Sequence, residues 1–149
     1  MLRVSKLTDY AVVVLVRLSA ETREPYDGVQ TSPAIAAATF VPEPTVAKVL
    51  KALGTAGLVV SQRGARGGYR LIRPLETISV ADVIAAIDGP IALTACVDGG
   101  VGTCDVQDVC AVKGRWNLVN DAIRQSLAAI SLADMRDAGV PLRSFISAE

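Results

Sequence analysis

The three cysteines are the most chemically distinctive residues of this chain, and all of them lie in one short stretch. Cys96, Cys104 and Cys110 fall within CVDGGVGTCDVQDVC, and the 149 residues include no histidine. The spacing C-x7-C-x5-C lacks the paired C-x2-C element that structural zinc sites favour. The intervening glycines allow the backbone to wrap closely around an inorganic centre and to direct amides at its sulfurs. We therefore interpret the stretch as an iron–sulfur cluster loop.

Two other uses of these thiols stay open at this point. A disulfide pair with one spare thiol would form a redox switch, whereas three inert cysteines would only fill space in a core. The aspartates and glycines between the cysteines, such as Asp98 and Gly100, are not typical of a core.

The cellular compartment bears on this choice. No apolar run reaches the ~18 residues that a membrane span needs, and the N-terminus lacks the apolar segment of a signal peptide. We therefore expect a cytoplasmic protein without a membrane partner. In that reducing compartment, grouped cysteines are more often metal-binding or redox-active than part of a disulfide framework.

Charge is distributed unevenly along the chain although the net charge is zero. Residues 1–73 carry ten lysines and arginines against five acids, and residues 74–149 carry five against ten. A basic half joined to an acidic half is typical of a polyanion-binding module attached to a sensor or oligomerisation part. An uneven solvated surface without a function is the alternative.

The elements of the basic half come in a recognisable order. Apolar periodicity predicts helices in VSKLTDYAVVVLVRLSAE, TSPAIAAATF and TVAKVLKALGTAGL. Two β-rich runs, GLVVSQ and GYRLIRP, then flank the turn RGARG. Three helices followed by a hairpin predict a winged helix-turn-helix over residues 1–75.

In such a domain the third helix enters the major groove of DNA and the wing lies along the adjacent minor groove or backbone. Each basic residue taken alone is as well explained by a solvated surface, but together they follow the helix and hairpin order. The partner that we expect is double-stranded operator DNA. The candidate DNA contacts are Ser32, Thr45, Lys48, Lys51, Arg63 and Arg66.

The acidic half is predicted to contain a linker helix with the cysteine loop over 76–114, a long helix over 115–138 and a tail over 139–149. The linker helix begins at Ser79, with Asp82 placed for a capping box, and Thr31 or Ser32 can act as the N-cap of the second helix. The long helix has no glycine or proline and repeats apolar residues every three or four positions. We expect it to pair with its copy in a homodimer, the alternative being that it folds back onto the first helix. The fold class is thus mainly α.

The sequence resembles the Rrf-type winged-helix regulators, which include the IscR-, NsrR-, RirA- and SufR-like repressors. The resemblance covers roughly residues 1–135 and rests on KLTDYAVVVL, VPEPTVAKVLKALGTAGLV, RGARGGYRL, SVADVIAAIDG and the three cysteines. LTDY and PEPTVAKVLK are most similar to regulators of SUF-type cluster assembly operons. The resemblance implies a homodimeric repressor, not an enzyme, whose bound [2Fe-2S] or [4Fe-4S] cluster tunes its affinity for DNA.

The resemblance also implies a ligand set. Cys96, Cys104 and Cys110 match the three thiolates of the family, whereas the IscR-like histidine position is occupied here by Lys113. A protonated lysine is a poor metal ligand. NsrR-like members use an aspartate of the first helix from the partner subunit, and the matching residue here is Asp9.

Several assignments remain open on the sequence. Asp9 is also explained as a helix-start carboxylate, and Asp105, Asp108 or an exogenous ligand could complete the cluster instead. Pro44 and Ala47 replace polar residues of the IscR-like recognition helix, so the operator sequence is not transferable. A metal-free thiol sensor of the same fold is the alternative function. An enzyme or electron carrier is disfavoured, because no nucleotide, flavin or phosphate motif accompanies the cysteines.

Overall fold

The computed structural model describes residues 2–20 and 28–137. This part of the chain is mainly helical and confirms the expected fold class. Its helices are α1 (Lys6–Ser19), α2 (Ser32–Thr39), α3 (Glu43–Thr55), α4 (Val80–Asp88), α5 (Trp116–Ala128) and α6 (Leu132–Arg136). Its strands are β1 (Val59–Gln62) and β2 (Gly68–Leu71), and a 3₁₀ turn, Leu75–Thr77, precedes α4.

Local capping explains where the first helices begin. The Ser5 hydroxyl accepts a hydrogen bond from the backbone N–H of Thr8 at the start of α1. Of the two predicted caps for α2, Thr31 is the one observed, since its side chain accepts from the N–H of Ala34. No side chain caps α3, whose first turn instead contains Pro44, a residue without an N–H to satisfy.

The core lies where α1, α3 and the wing meet. The predicted apolar stripe of α3 is fully buried, and it packs on residues of α1 such as Leu15 and Leu18. Leu132 of α6 joins the same cluster, so the C-terminal part of the chain shares its core with the winged domain. The stripe of α3 comprises Val46, Val49, Leu50 and Leu53.

The wing is an antiparallel hairpin in which Val59 pairs with Leu71 and Gln62 with Gly68. The chain before α2 adds a further bridge, because Gln30 and Tyr69 exchange two backbone hydrogen bonds of 2.9 and 2.8 Å. A Cβ on Gly68 would lie only 2.5 Å from the Gln30 carbonyl oxygen. Glycine at this position therefore lets α2 and the wing form one unit.

The prediction of one continuous helix over 115–138 was wrong within the described residues. The helix breaks after Ala128, and α6 begins anew with Ser131 as its N-cap and Asp134 completing a capping box. The break is stabilised by two backbone hydrogen bonds, from Val80 N to Ile130 O and from Leu132 N to Ile78 O. The capping box and the backbone pairing thus end the helix even though the sequence has no glycine or proline there. Residue 138 and the predicted tail lie outside the described part.

Several polar contacts tie α6 and α4 to the segment after the wing. Arg136 reaches both Glu76 and Asp137, and the hydrogen bond that its guanidinium donates to the Asp137 carboxylate raises the pKa of Arg136 above its usual value. Arg73 pairs with Asp82 of α4 at 3.4 Å. Among the described residues, no helix has the length and apolar content to cross a bilayer.

Candidate nucleic-acid interface and cysteine loop

The outward side of α3 carries the predicted recognition residues. Lys48 and Lys51 are exposed, opposite the buried stripe, as are Pro44 and Ala47. Thr45 is only half-exposed at the edge of this surface. The arrangement leaves two cations free to approach phosphates and places small apolar side chains beside them.

The predicted wing contacts also lie at the surface. Arg63 and Arg66 are both exposed in the turn between β1 and β2. Gly64 adopts a φ of +108°, which lets the chain reverse tightly and project the two arginines. The tip is therefore suited to enter a narrow, electronegative minor groove.

Ser32 is oriented differently from what a phosphate contact requires. Its hydroxyl oxygen is buried and has no hydrogen-bond partner within the described part of the chain. Thr31 supplies the cap, and the Ser32 side chain points inward. A DNA contact by the Ser32 hydroxyl would require another side-chain rotamer.

The turn between α2 and α3 contains a residue that the sequence reasoning missed. Phe40 has a left-handed backbone with a φ of 61°, and its side chain is 93% exposed. Hydrogen bonds from Phe40 N to Ala36 O and from Val41 N to the Thr39 hydroxyl fix this turn. A positive φ favours glycine, so no propensity argument would place phenylalanine here.

The cysteine loop begins at a well-anchored segment. The Cys96 thiol is half-buried and lies 3.2 Å from the Thr94 hydroxyl. The following residue, Val97, is buried, and a Cβ on Gly100 would lie 2.6 Å from the carbonyl oxygens of Thr94 and Ala95. The first thiol thus sits in a tight turn that requires glycine at position 100.

The anchor is Asn120 on α5, with a weaker contact from Asn117, and the sequence analysis singled out neither residue. Asn120 is 1% exposed, and its side-chain amide accepts from Leu93 N and donates to Ile91 O, both at 2.9 Å. The Asn117 amide oxygen accepts from Asp98 N at 3.1 Å. The only sequence signal was polar residues three apart on an apolar helix, which is too common to interpret.

The second half of the loop is held less firmly. Cys104 is exposed and Cys110 half-buried, and the backbone between them forms local turns such as Gln107 N to Cys104 O. In the described part of a single protomer, no three cysteine, aspartate or glutamate side chains come close enough to hold a metal ion. The donor types fit an iron–sulfur cluster, but one protomer alone does not gather them.

Asp9 lies in the first turn of α1, exposed, in a groove of about 520 Å³. Arg3, Lys6 and Met135 also line this groove, and within the described residues no cysteine does. One protomer therefore does not bring Asp9 to its own thiols.

A different contact links α1 to the start of the loop. Thr8 is 1% exposed, and its hydroxyl donates to the Asp88 carboxylate at 2.9 Å while it accepts from Ser5 Oγ at 3.1 Å. Asp88 is the last residue of α4, immediately before the chain turns toward the cysteines. This hydrogen bond connects the end of α4 directly to the first turn of α1.

Apolar side chains remain uncovered along the loop and on α5. Leu118 is 74% exposed, and Trp116 and Val119 border a recess of about 190 Å³ together with Val112. Such a surface on a helix is typical of a site that another chain covers. Its exposed members are Val101, Val106, Val109, Val112, Trp116, Leu118 and Val119.

A winged helix-turn-helix with exposed cations on its third helix and wing tip defines the class of DNA-binding regulators. A family model described as "Rrf2: Iron-dependent Transcriptional regulator" matches residues 4–138. The chain belongs to the Rrf2 family of transcriptional regulators.

Relatives and solved structures agree with this assignment. An HTH-type transcriptional regulator of Mycobacterium tuberculosis is 33% identical over 94% of this chain and 84% of its own length. The regulator NsrR of Bacillus subtilis is 27% identical over 91% and 89%. CymR, the global cysteine regulator of B. subtilis, superposes with a TM-score of 0.68 at 26% identity, covering 91% and 97%. T. potens IscR gives 0.63 at 30% identity, covering 90% and 85%.

Proposed function

We propose that this Rrf2-family regulator is a homodimeric repressor of iron–sulfur assembly genes that senses its own bound cluster. The observation that carries the proposal is the position of the Cys96 segment. It is tied to α5 through Asn120, and it directly follows the end of α4, which is bonded to α1 through Asp88 and Thr8. A ligand held by this segment acts on both the uncovered helix and the DNA-binding domain.

The proposed ligands are the thiolates of Cys96, Cys104 and Cys110, with Asp9 from the partner subunit as the fourth. The bound cluster supplies reactivity toward oxidants and a dependence on iron supply. A carboxylate binds a soft iron–sulfur centre less firmly than a thiolate does, which suits a site that must respond. Whether the cluster is [2Fe-2S] or [4Fe-4S] does not alter the roles of these side chains.

The protein's own part in signalling is to fix or release the loop. With the thiols gathered, residues 104–110 are drawn toward the anchored Cys96 segment. Asp9 then holds α1 of one protomer to the loop of the other. Release of Asp9 would shift α1 relative to α5 and alter the separation of the two recognition helices, which must match half-sites about one helical turn or a multiple apart.

The uncovered surface on the loop and α5 supports the dimer. We propose that it packs against its copy across a two-fold axis, so that each side chain meets an equivalent one. A protein that binds operator DNA in this way acts in the cytoplasm and needs no catalytic activity.

The direct experiment uses protein purified without oxygen. We expect a visible absorption band, with iron and acid-labile sulfide in equal amounts, and an operator affinity that differs between cluster-loaded and cluster-free protein at fixed salt. Equal affinity of the two forms would contradict cluster sensing.

The fourth ligand is tested by substitution. Asp9→Ala is expected to change the visible spectrum and to speed cluster loss in air. Asp105→Ala and Asp108→Ala are the matched controls, because they remove carboxylates from the loop itself. If the spectrum of Asp9→Ala were unchanged and that of Asp105→Ala or Asp108→Ala changed, the fourth ligand would be the loop aspartate and not Asp9.

The metal-free thiol sensor is the second candidate, and the exposure of Cys104 favours it. A colourless, iron-free preparation from iron-replete cells, whose DNA affinity changes on thiol oxidation, would support this function instead.

A further inference from the structure

The predicted DNA-binding surface, formed by the outward side of α3 and the turn before it, is apolar at the end where α3 begins. Its most exposed apolar residue is Phe40. Residues 40–47 expose Phe40, Pro42, Glu43, Pro44 and Ala47, of which only Glu43 has a side chain that forms hydrogen bonds. Because Val41 is buried and the turn is fixed by the Thr39 hydroxyl, the left-handed backbone holds the phenyl ring outward, into solvent.

We infer that Phe40, together with Pro44 and Ala47 of α3, contacts the C5-methyl groups of thymines in the major groove. This inference rests on the DNA-binding part of the proposed function and is independent of the cluster. The methyl group distinguishes thymine from the other bases in that groove, and it is read by apolar side chains such as alanine and phenylalanine.

The position of the apolar end supports DNA as its occupant. Phe40 lies three residues before α3, and the next turns of the same helix expose Lys48 and Lys51. Cations there draw the start of the helix against the phosphates, so that the side chains preceding them face base edges. A protein partner without anionic groups would gain nothing from the lysines.

The experiment begins with duplexes that the wild-type protein selects from a random double-stranded library. Each thymine of the tightest duplex is then replaced by uracil, which lacks only the methyl group. At one thymine or more per half-site, we expect wild-type affinity to fall about fourfold, the effect of losing one buried methyl-sized group.

The variant Phe40→Ala completes a double-substitution cycle. It is expected to bind the unmodified duplex more weakly and to lose no further affinity when the critical thymine becomes uracil. Phe40→Leu keeps an apolar side chain and should retain part of the sensitivity. Thermal unfolding of both variants should match wild type, because the ring is exposed.

Two results would overturn the inference. One is a uracil scan without any sensitive thymine, and the other is equal uracil losses in wild type and Phe40→Ala at every position. The second result includes the case in which Phe40→Ala leaves all DNA affinities unchanged. Cluster sensing is judged separately, by comparing loaded and cluster-free protein on one duplex.

Discussion

Phe40 combines an exposed aromatic ring with a backbone conformation that suits glycine. A left-handed residue with a side chain costs about 1–2 kcal/mol, and burial of the ring does not offset this cost here. The residue is kept in place by its neighbours, because Val41 is buried and Phe40 N bonds to Ala36 O. Strain held without a packing benefit points to a role outside the fold.

Replacing Phe40 with glycine should therefore stabilise the protein. We expect Phe40→Gly to raise the free energy of unfolding by about 0.5–1 kcal/mol, the relieved strain less the greater freedom of glycine in the unfolded chain. Chemical denaturation measures the change. Phe40→Ala keeps the Cβ and should bring no gain, so a similar gain in both variants would contradict the explanation.

Asn120 is the buried polar residue that orders the Cys96 segment. Asn120→Ala leaves Leu93 N and Ile91 O without their partner, and we expect it to lower the free energy of unfolding by about 2–3 kcal/mol. Maleimide labelling of Cys96 should also become faster.

Asn117→Ala is the matched control, since its bond to Asp98 N is exposed and its loss should cost about 0.5–1 kcal/mol. Equal losses in the two variants would mean that Asn120 does not act as the anchor.

Among the elements, α6 shows how a short polar signal ends a helical pattern. Ser131 and Asp134 form the same capping box at α6 that Ser79 and Asp82 form at α4. The two caps lie side by side, because Ser79 and Ser131 form an isolated β-bridge. The C-terminal end of α5 and the start of α4 are thereby held together.

The cap of α6 can be tested directly. Ser131→Ala is expected to destabilise the protein by about 1 kcal/mol, measured by denaturant unfolding. Ser126→Ala, an exposed change within α5, should be neutral or slightly stabilising because alanine is the better helix former. A neutral Ser131→Ala would show that the backbone bridge alone sets the break.

The wing tip is tested by salt dependence. If Arg63 and Arg66 each neutralise one phosphate, their joint replacement by alanine should reduce the slope of log affinity against log salt by about 2. Arg124→Ala, which removes the ion pair with Asp121 on α5, should leave the slope unchanged. A slope that is the same in all three proteins would remove the wing from the interface.

Sequence patterns determined most elements of this fold but not its contacts. The first four helices, the hairpin and the cap at Ser79 follow from periodicity and turn chemistry, and the structure has them. The break before Ser131 was also predictable, because Ser131 and Asp134 match a capping box, but the longer apolar pattern of the helix obscured this signal. The contacts of Asn120 and the bridge at Gln30 could not be predicted from the sequence, because their partners are backbone groups brought close only by tertiary packing.

The basic winged domain and the acidic half share one core. The exposed apolar residues from Val101 to Val119 lie on the loop and α5, whereas the cations of the proposed DNA interface lie on α3 and the wing. A two-fold axis at α5 would thus leave both DNA-binding surfaces free.

Leu118→Glu tests that arrangement. Because Leu118 is 74% exposed in one protomer, the change should leave the protomer's fold intact while it places a charge in the proposed interface. We expect the dissociation constant of the dimer to rise at least about tenfold in sedimentation experiments. Gln125→Glu, an exposed polar position on the same helix, is the control, and equal effects of both would place the interface elsewhere.

The backbone hydrogen bonds that join the start of α4 to the break between α5 and α6 have a consequence for proteolysis. Lys113 and Arg115 are exposed trypsin sites in the loop, whereas the chain on either side is held by Asn120 and by the bonds of Ile130 and Leu132. A nick there should yield two bands on a denaturing gel but a single species under native conditions. Cleavage in the cysteine loop would therefore leave the two fragments associated as a noncovalent complex.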